Sequence, residues 1–284
     1  MFNILRRSRR NAILYLSHRL DKDALAGWNQ LKEDCIATDT KPFFLYDNTR
    51  SDFSDHPNIK DSEIYLFSFS HLAQHWPFKA WDAARPLDQG NIIFVILNFW
   101  KDNPGYQFYW RVEFDVFLDA QWCDLIAAFK GNKSGLLTTT LVRPETRPGW
   151  VWWETLKSPE TLRRSVEPIR SFMPLARLSG EACEVLSHAY RSGWAGHDEV
   201  SVPTILHHEG LMIEDLGGIG EFVGPSSSRQ WYTNTPTLEG LGPGTFVCPP
   251  KQADFHQERG KLYHPVKDRG SFLAKLKETR LQAP

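Results

Sequence analysis

Cysteine is scarce in this chain of 284 residues: the four, at positions 35, 123, 183 and 248, stand far apart and form no Cys-x-x-Cys pair. That spacing argues against a paired-cysteine zinc site or a dense disulfide framework, so a reducing compartment, the cytoplasm, is the default. No apolar run approaches the length that crosses a bilayer, and the apolar residues 12–16 are too few for a signal-peptide core. Neither sign of charge dominates. With 33 Lys+Arg against 34 Asp+Glu the net charge is −1, which leaves no global basic field to hold nucleic acid. A P-loop, a Gly-x-Gly-x-x-Gly after the first strand, a Gly-x-Ser-x-Gly elbow and a His-Glu-x-x-His pair are all missing. Gly217-Gly-Ile-Gly220 comes too late, with no helical pattern after it, to bind a dinucleotide. His207 and His208 are adjacent, and on a helix adjacent side chains point apart.

Aromatic residues are plentiful: 11 Trp, 18 Phe and 8 Tyr. They supply a large core, and the flat faces of Trp and Tyr also suit stacking on sugars or bases. A hydrophobic content of 41% allows one substantial core. The first ten residues hold Arg6, Arg7, Arg9 and Arg10, a basic tail that is either solvated or touches anionic lipid at a membrane face.

Strand and helix patterns alternate along the first half. Residues 12–17 read as a buried strand, and residues 21–35 as a helix with Leu25, Trp28 and Leu31 on one face and Asp21 as N-cap. Strands are expected at 42–46 and 63–67, followed by an aromatic segment around Trp76 and Trp81. Residues 91–100 read as a helix, 120–129 as another, and 135–142 as a strand. This alternation predicts an α/β fold, a mostly parallel central sheet flanked by helices, with ligands at the carboxyl ends of the strands. The second half is loop-rich: Pro and Trp crowd residues 144–160, a helix is expected at 179–190, and Gly, Pro and Ser fill residues 217–250. No linker divides the chain. The expected organisation is a basic tail (1–10), a single domain (11–267, with halves 11–142 and 143–267), and a C-terminal helix or tail (268–284).

Residues 107–117 carry the strongest chemical signal. Phe108, Trp110, Val112, Phe114 and Val116 alternate with polar or amphipathic positions, the period of a strand with one packed face and one face in a polar environment. On that polar face Glu113 and Asp115 are expected about 6.5–7 Å apart along the strand. There they either converge on a divalent cation such as Mg²⁺ or Mn²⁺ or sit in an amphipathic strand where Arg111 neutralises Glu113. Asp198-Glu199, after Trp194 and His197, are placed either to accept a proton from a hydroxyl or to cap a helix. In residues 262–267, His264 offers an imidazole ligand and Lys267 a charge to offset phosphate. Asp47 and the Ser17-His18-Arg19 loop fall at strand carboxyl ends.

Together these segments resemble glycosyltransferases of the GT-A fold, the class that uses nucleotide-diphospho-sugars. Tyr109-Trp-Arg-Val-Glu-Phe-Asp115 and Leu262-Tyr-His-Pro-Val-Lys267 are similar to segments in glycosyltransferase-like families, and the resemblance runs over about residues 11–267. It implies that Asp115 and Glu113 stand where the family's Asp-x-Asp motif holds a metal–diphosphate, and that His264 is the C-terminal ligand. It places Ser17, His18, Arg19 and Asp47 at the base and ribose of the donor, with Lys267 near its phosphates. Glu199, with Asp198 beside it, matches the base that deprotonates the acceptor. Trp150, Trp152, Trp153, Trp194 and His197 would line the acceptor, a glycan or glycolipid of the kind used in polysaccharide biosynthesis. The pair here is Glu-x-Asp, a departure that also admits a metal-independent enzyme in which Lys267 alone neutralises the phosphates.

Two rival classes fit the same residues. A non-catalytic carbohydrate-binding protein would use the aromatics and need neither Asp115 nor Glu199. A nucleotidyltransferase-like enzyme would consume a nucleoside triphosphate.

Overall fold

In β1 (Asn11–Ser17), Ala12, Leu14 and Leu16 pack on one side of a sheet while Ile13 and Tyr15 pack on the other. A strand apolar on both faces is a central strand with both faces covered. The structure, a computed structural model, describes residues 10–36, 38–49, 53, 59–79, 90–160, 166–225, 227–237, 240–248 and 259–281. The basic tail before Arg10, and Trp81, lie outside the described residues.

The chain continues through α1 (Lys22–Cys35), β2 (Thr40–Asp47), β3 (Ile64–Phe67), α2 (Phe69–His75), α3 (Ile92–Asp102) and β4 (Phe108–Glu113). Then follow β5 (Phe117–Leu118), α4 (Trp122–Ala128), β6 (Leu136–Val142), β7 (Arg170–Ser179), α5 (Gly180–Arg191) and α6 (Asp198–His208). The last elements are β8 (Ile213–Asp215), β9 (Leu262–Tyr263) and α7 (Arg269–Leu281). A 7-stranded sheet has the order β3-β2-β1-β4-β7-β6-β8, and β5 pairs with β9 in a 2-stranded ribbon. In the large sheet β7 alone runs antiparallel to its neighbours β4 and β6. The remaining pairings are parallel, so the fold is the α/β, mostly parallel arrangement that the alternation predicts.

Residues of α2, α3, α5 and α6 cover one face of the sheet, and α1, α4 and residues from 216–262 cover the other. Local chemistry fixes the helix starts. The Asp21 carboxylate accepts from the amides of Asp23 and Ala24, and Ser179 accepts from Ala182, each satisfying orphan donors of a first turn.

The structure departs from the sequence reading in three places. The strand expected over 107–117 stops at Glu113, and residues 114–115 form a turn before β5. Within β4 the supposedly polar face is not open to water: Tyr109 is in the core and Arg111 is 6% exposed. A central strand of a covered sheet has no solvated face, so Arg111 is there as a partner for carboxylates. The periodicity also gave no warning of β7, whose residues are buried along nearly its whole length and therefore show no alternation. Toward the C-terminus Arg269–Leu281 form a helix, α7.

Candidate functional site

The turn after β4 is tied down from several sides. The amide of Phe114 donates to Leu16 O at 2.9 Å, that of Val116 to Glu113 O at 3.0 Å, and that of Val266 to Asp115 O at 2.8 Å. Arg269 Nη2 donates to the carbonyls of Val116 and Phe114, at 2.9 and 3.3 Å, and Tyr15 OH reaches Phe114 O at 3.3 Å. Because the chain turns here, Glu113 and Asp115 converge by folding back rather than by standing one pleat apart. Pairing of β5 with β9 brings the next residue, His264, to the same place. One ligand atom from each of Glu113, Asp115 and His264 lies within 4.8 Å of the others.

Hydrogen bonding sets the chemical state of this cluster. His264 Nδ1 is 3.0 Å from Val247 O, and a carbonyl only accepts, so Nδ1 carries the proton. In the neutral imidazole Nε2 then presents a lone pair, 3.6 Å from Asp115 Oδ1. That carboxylate oxygen is buried and has no hydrogen-bond partner among the described residues. Two bare lone pairs facing each other are unfavourable unless a proton or a cation lies between them. Ligands about 2.1 Å from one small divalent ion stand roughly 3 Å or more apart, so the spacing suits such an ion. Glu113 offers one further oxygen, since Arg111 Nη2 holds its Oε1 at 2.5 Å. A set of two carboxylates and an imidazole therefore fits a hard-to-borderline divalent cation.

Arg111 joins this cluster to a second pair of acids. Its Nη1 donates to Asp198 Oδ2 at 2.9 Å, with both side chains almost fully buried. Asp198 is thus committed to Arg111, whereas Glu199 forms no ion pair with an arginine or lysine among the described residues. Burial pushes the Glu199 carboxyl up to about 8, with the neighbouring Asp198 charge adding to the rise and Arg170 and Arg111 opposing it. The Met173 amide donates to Glu199 Oε1 at 3.4 Å, and Ser171 Oγ to Glu199 O at 3.0 Å, which orients the carboxyl. An acid held close to neutrality in its titration is suited to proton transfer at ordinary pH. His197 Nδ1 accepts from the Glu199 amide at 3.3 Å, and burial holds its pKa below the usual value, so the ring is neutral.

Gly90 lets the start of α6 come this close. At φ +77° it occupies the left-handed region, and a Cβ there would overlap the amide nitrogen of Asp198, which donates to Gly90 O at 3.2 Å.

The remaining sequence-predicted residues are spread along the same edge. Ser17 and Asp47 end the adjacent strands β1 and β2. Ser17 Oγ accepts from the Arg19 amide at 3.0 Å, and Asp47 Oδ1 from that of Thr49 at 2.9 Å. His18 is exposed, with its ring edge on Phe114, and Arg19 pairs with Asp21 beside the same phenyl ring. Lys267 is exposed. Trp152 stacks on His197 with centroids 4.5 Å apart, and Trp153 Nε1 donates to Arg147 O at 2.9 Å. Trp150 lies under Arg170. Trp194 is buried in the core against His208 and presents no open face. Sequence reasoning missed Arg170, Arg147 and Gly90. A charged residue opening an apolar run, as in Arg170-Ser-Phe-Met, was the available signal for the first.

No protein-family model matches the chain, and no curated protein matches its sequence. Solved structures similar to it include core-mannan synthase A from Aspergillus fumigatus in a Mn/GDP form, at 12% identity over 69% of this chain and 68% of that one, with a TM-score of 0.38. The mannosyltransferase Ktr4p from S. cerevisiae in complex with GDP matches at 11% identity over 74% and 70%, TM-score 0.40. The galactosyltransferase LgtC in complex with donor and acceptor sugar analogs matches at 8% identity over 70% of each chain, TM-score 0.34. At these scores the likeness carries no conclusion about activity, which has to rest on the residues themselves.

Proposed function

We propose that this chain is a glycosyltransferase that moves a sugar from a nucleotide-diphospho-sugar to a hydroxyl of a glycan or glycolipid acceptor, using Mn²⁺ or Mg²⁺. One observation carries the reading: Oδ1 of buried Asp115, without a hydrogen-bond partner among the described residues, faces Nε2 of His264 at 3.6 Å, with Glu113 beside them. When bound, a divalent ion at this cluster supplies positive charge where the departing nucleoside diphosphate becomes negative.

The chain's own residues do the rest. Asp115, Glu113 and His264 hold the ion, and Lys267 adds charge near the diphosphate. The loop of Ser17, His18 and Arg19, together with Asp47, takes the nucleoside end, so residues 11–142 form the donor half. Glu199 accepts the proton of the attacking hydroxyl as the sugar–phosphate bond breaks. Asp198 fixes Arg111, which in turn fixes Glu113. Trp152 and His197, stacked together, with Trp150 and Trp153, form the acceptor side in residues 143–267.

Calorimetry with nucleoside diphosphates, with and without Mn²⁺, combined with a screen of nucleotide sugars for donor hydrolysis, tests this. Mn²⁺-dependent binding and hydrolysis of one donor are expected. Sugar binding without donor binding would assign a carbohydrate-binding protein, and consumption of a nucleoside triphosphate would assign nucleotidyl transfer.

A further inference from the structure

Arg170 opens β7 at the same edge of the sheet as Glu199, yet its guanidinium has no counter-ion among the described residues. The residue is 3% exposed, its Cζ stands 4.5 Å over the Trp150 ring, and its Nε and Nη1 are enclosed without a hydrogen-bond partner. Among the described residues no carboxylate comes within ion-pair distance of it. Arg147, 5% exposed, lies close enough for its charge to act on Arg170, and donates through Nη1 to Gly240 O at 2.8 Å. Burial pushes Arg170 down to about 10, against the pull of Glu199, so it remains charged at neutral pH. Glu199 does not cancel that charge, because burial keeps its own carboxyl largely protonated there. An enclosed guanidinium whose donors are unmet, as at Arg170, is strongly unfavourable until an anion completes it.

We propose that Arg170, supported by Arg147, is an oxyanion subsite for the acceptor: the molecule that offers its hydroxyl to Glu199 carries a phosphate or carboxylate group, which docks on the Arg170 guanidinium beside Trp150. This rests on the glycosyl-transfer reading of Glu199 given above. The strand that begins with Arg170 also holds Glu199, through Ser171 and Met173, so the anion and the reacting hydroxyl are positioned by one element. Arg111 bridges Glu113 and Asp198, at 2.5 and 2.9 Å, and so links the acid cluster expected to hold the donor diphosphate to the helix that carries Glu199. The planar fork of arginine suits both oxyanions. Neutral glycans would leave Arg170 unsatisfied, so the acceptor class is an acidic sugar or a phosphorylated one.

The test uses the whole protein, free of metal and donor, titrated by calorimetry with glucose 6-phosphate, glucuronate and neutral glucose at constant ionic strength. At least one anionic sugar is expected to bind ten times more tightly than glucose or better. Arg170→Gln is expected to bring it to the glucose level while leaving Mn²⁺-dependent nucleoside diphosphate binding unchanged. A preference for glucose 6-phosphate assigns a phosphate-bearing acceptor, and one for glucuronate a carboxylate-bearing acceptor. Equal binding of all three by the unaltered protein overturns the proposal, while donor hydrolysis tests the transferase reading separately. Loss of nucleoside diphosphate binding in Arg170→Gln would instead assign the subsite to the donor and overturn it as well. If the variant does not fold, the melting temperature of the unaltered protein decides: no rise with either anionic sugar beyond that with glucose refutes the subsite.

Discussion

His264 Nε2 stands 3.6 Å from Asp115 Oδ1, and that oxygen has no hydrogen-bond partner among the described residues. The side chains come from distant parts of the chain and are joined through backbone contacts on either side, Val266 to Asp115 and β5 to β9. Their proximity is therefore part of the fold and does not depend on a ligand to create it.

Removing the Asp115 charge should cost metal affinity and little stability. Asp115→Asn is expected to weaken Mn²⁺ binding by at least about tenfold, since loss even of groups behind a metal ligand typically costs 10–100-fold. Its melting temperature without metal should stay within a few degrees of the parent value. An unchanged Mn²⁺ isotherm would remove Asp115 from the ligand set.

Glu199 gives a pH signature with a definite sign. Its carboxyl must be ionised to accept a proton, so kcat/KM should rise with pH along a limb centred near the value of about 8 that burial imposes. Glu199→Gln should slow transfer by roughly 10²–10⁴-fold and flatten that limb. Stability should move the opposite way. The folded chain keeps this proton up to about 8, whereas an unfolded glutamate loses it near 4.3. The group's stabilising contribution is complete below about pH 4.3 and is lost as the pH rises through 8. In chemical denaturation from pH 5 to 9, Glu199→Gln should show a shallower decline than the parent; parallel curves would contradict the assignment.

Arg111 holds two carboxylates at once. Arg111→Met leaves Glu113 and Asp198 close together without their cation, and a loss of roughly 3–5 kcal/mol at neutral pH is expected. Part of it should return as the pH falls toward 4 and carboxylates become protonated. Urea unfolding at pH 7 and pH 4.5 measures both effects, and equal losses at the two values would argue against the charge explanation.

Gly90→Ala should be costly for a backbone reason. A left-handed φ adds about 1–2 kcal/mol for a residue with a Cβ, and that Cβ would also displace the start of α6. Thermal unfolding should show the loss. Transfer should fall more than donor binding, because the displaced helix carries Glu199 and not Asp115. Donor affinity falling as far as turnover would show that the two halves of the site are not separable in this way.

Local signals were legible wherever the physics is local. The strand at 12–17 and the helix of residues 91–100 follow from the length and ends of their apolar runs, and the cap at Asp21 from a short polar side chain reaching nearby amides. Asp115, Glu113, Glu199 and His264 could be picked out by residue type and by their place at element ends. β7 could not, because burial on both faces erases the alternation that marks a half-exposed strand.

The amino-acid order by itself determined most of the helical and extended segments of the first half, and which acids and imidazoles were available for chemistry. Only the tertiary structure decided how they pair. It folded residues 114–115 into a turn, committed Asp198 to Arg111, buried Trp194 in the core, and, among the described residues, left Glu199 without an arginine or lysine partner and enclosed Arg170 without a counter-ion. The reason is range: caps and periodicity act over a few residues, whereas desolvation and ion pairing depend on which distant segments the packed sheet brings together.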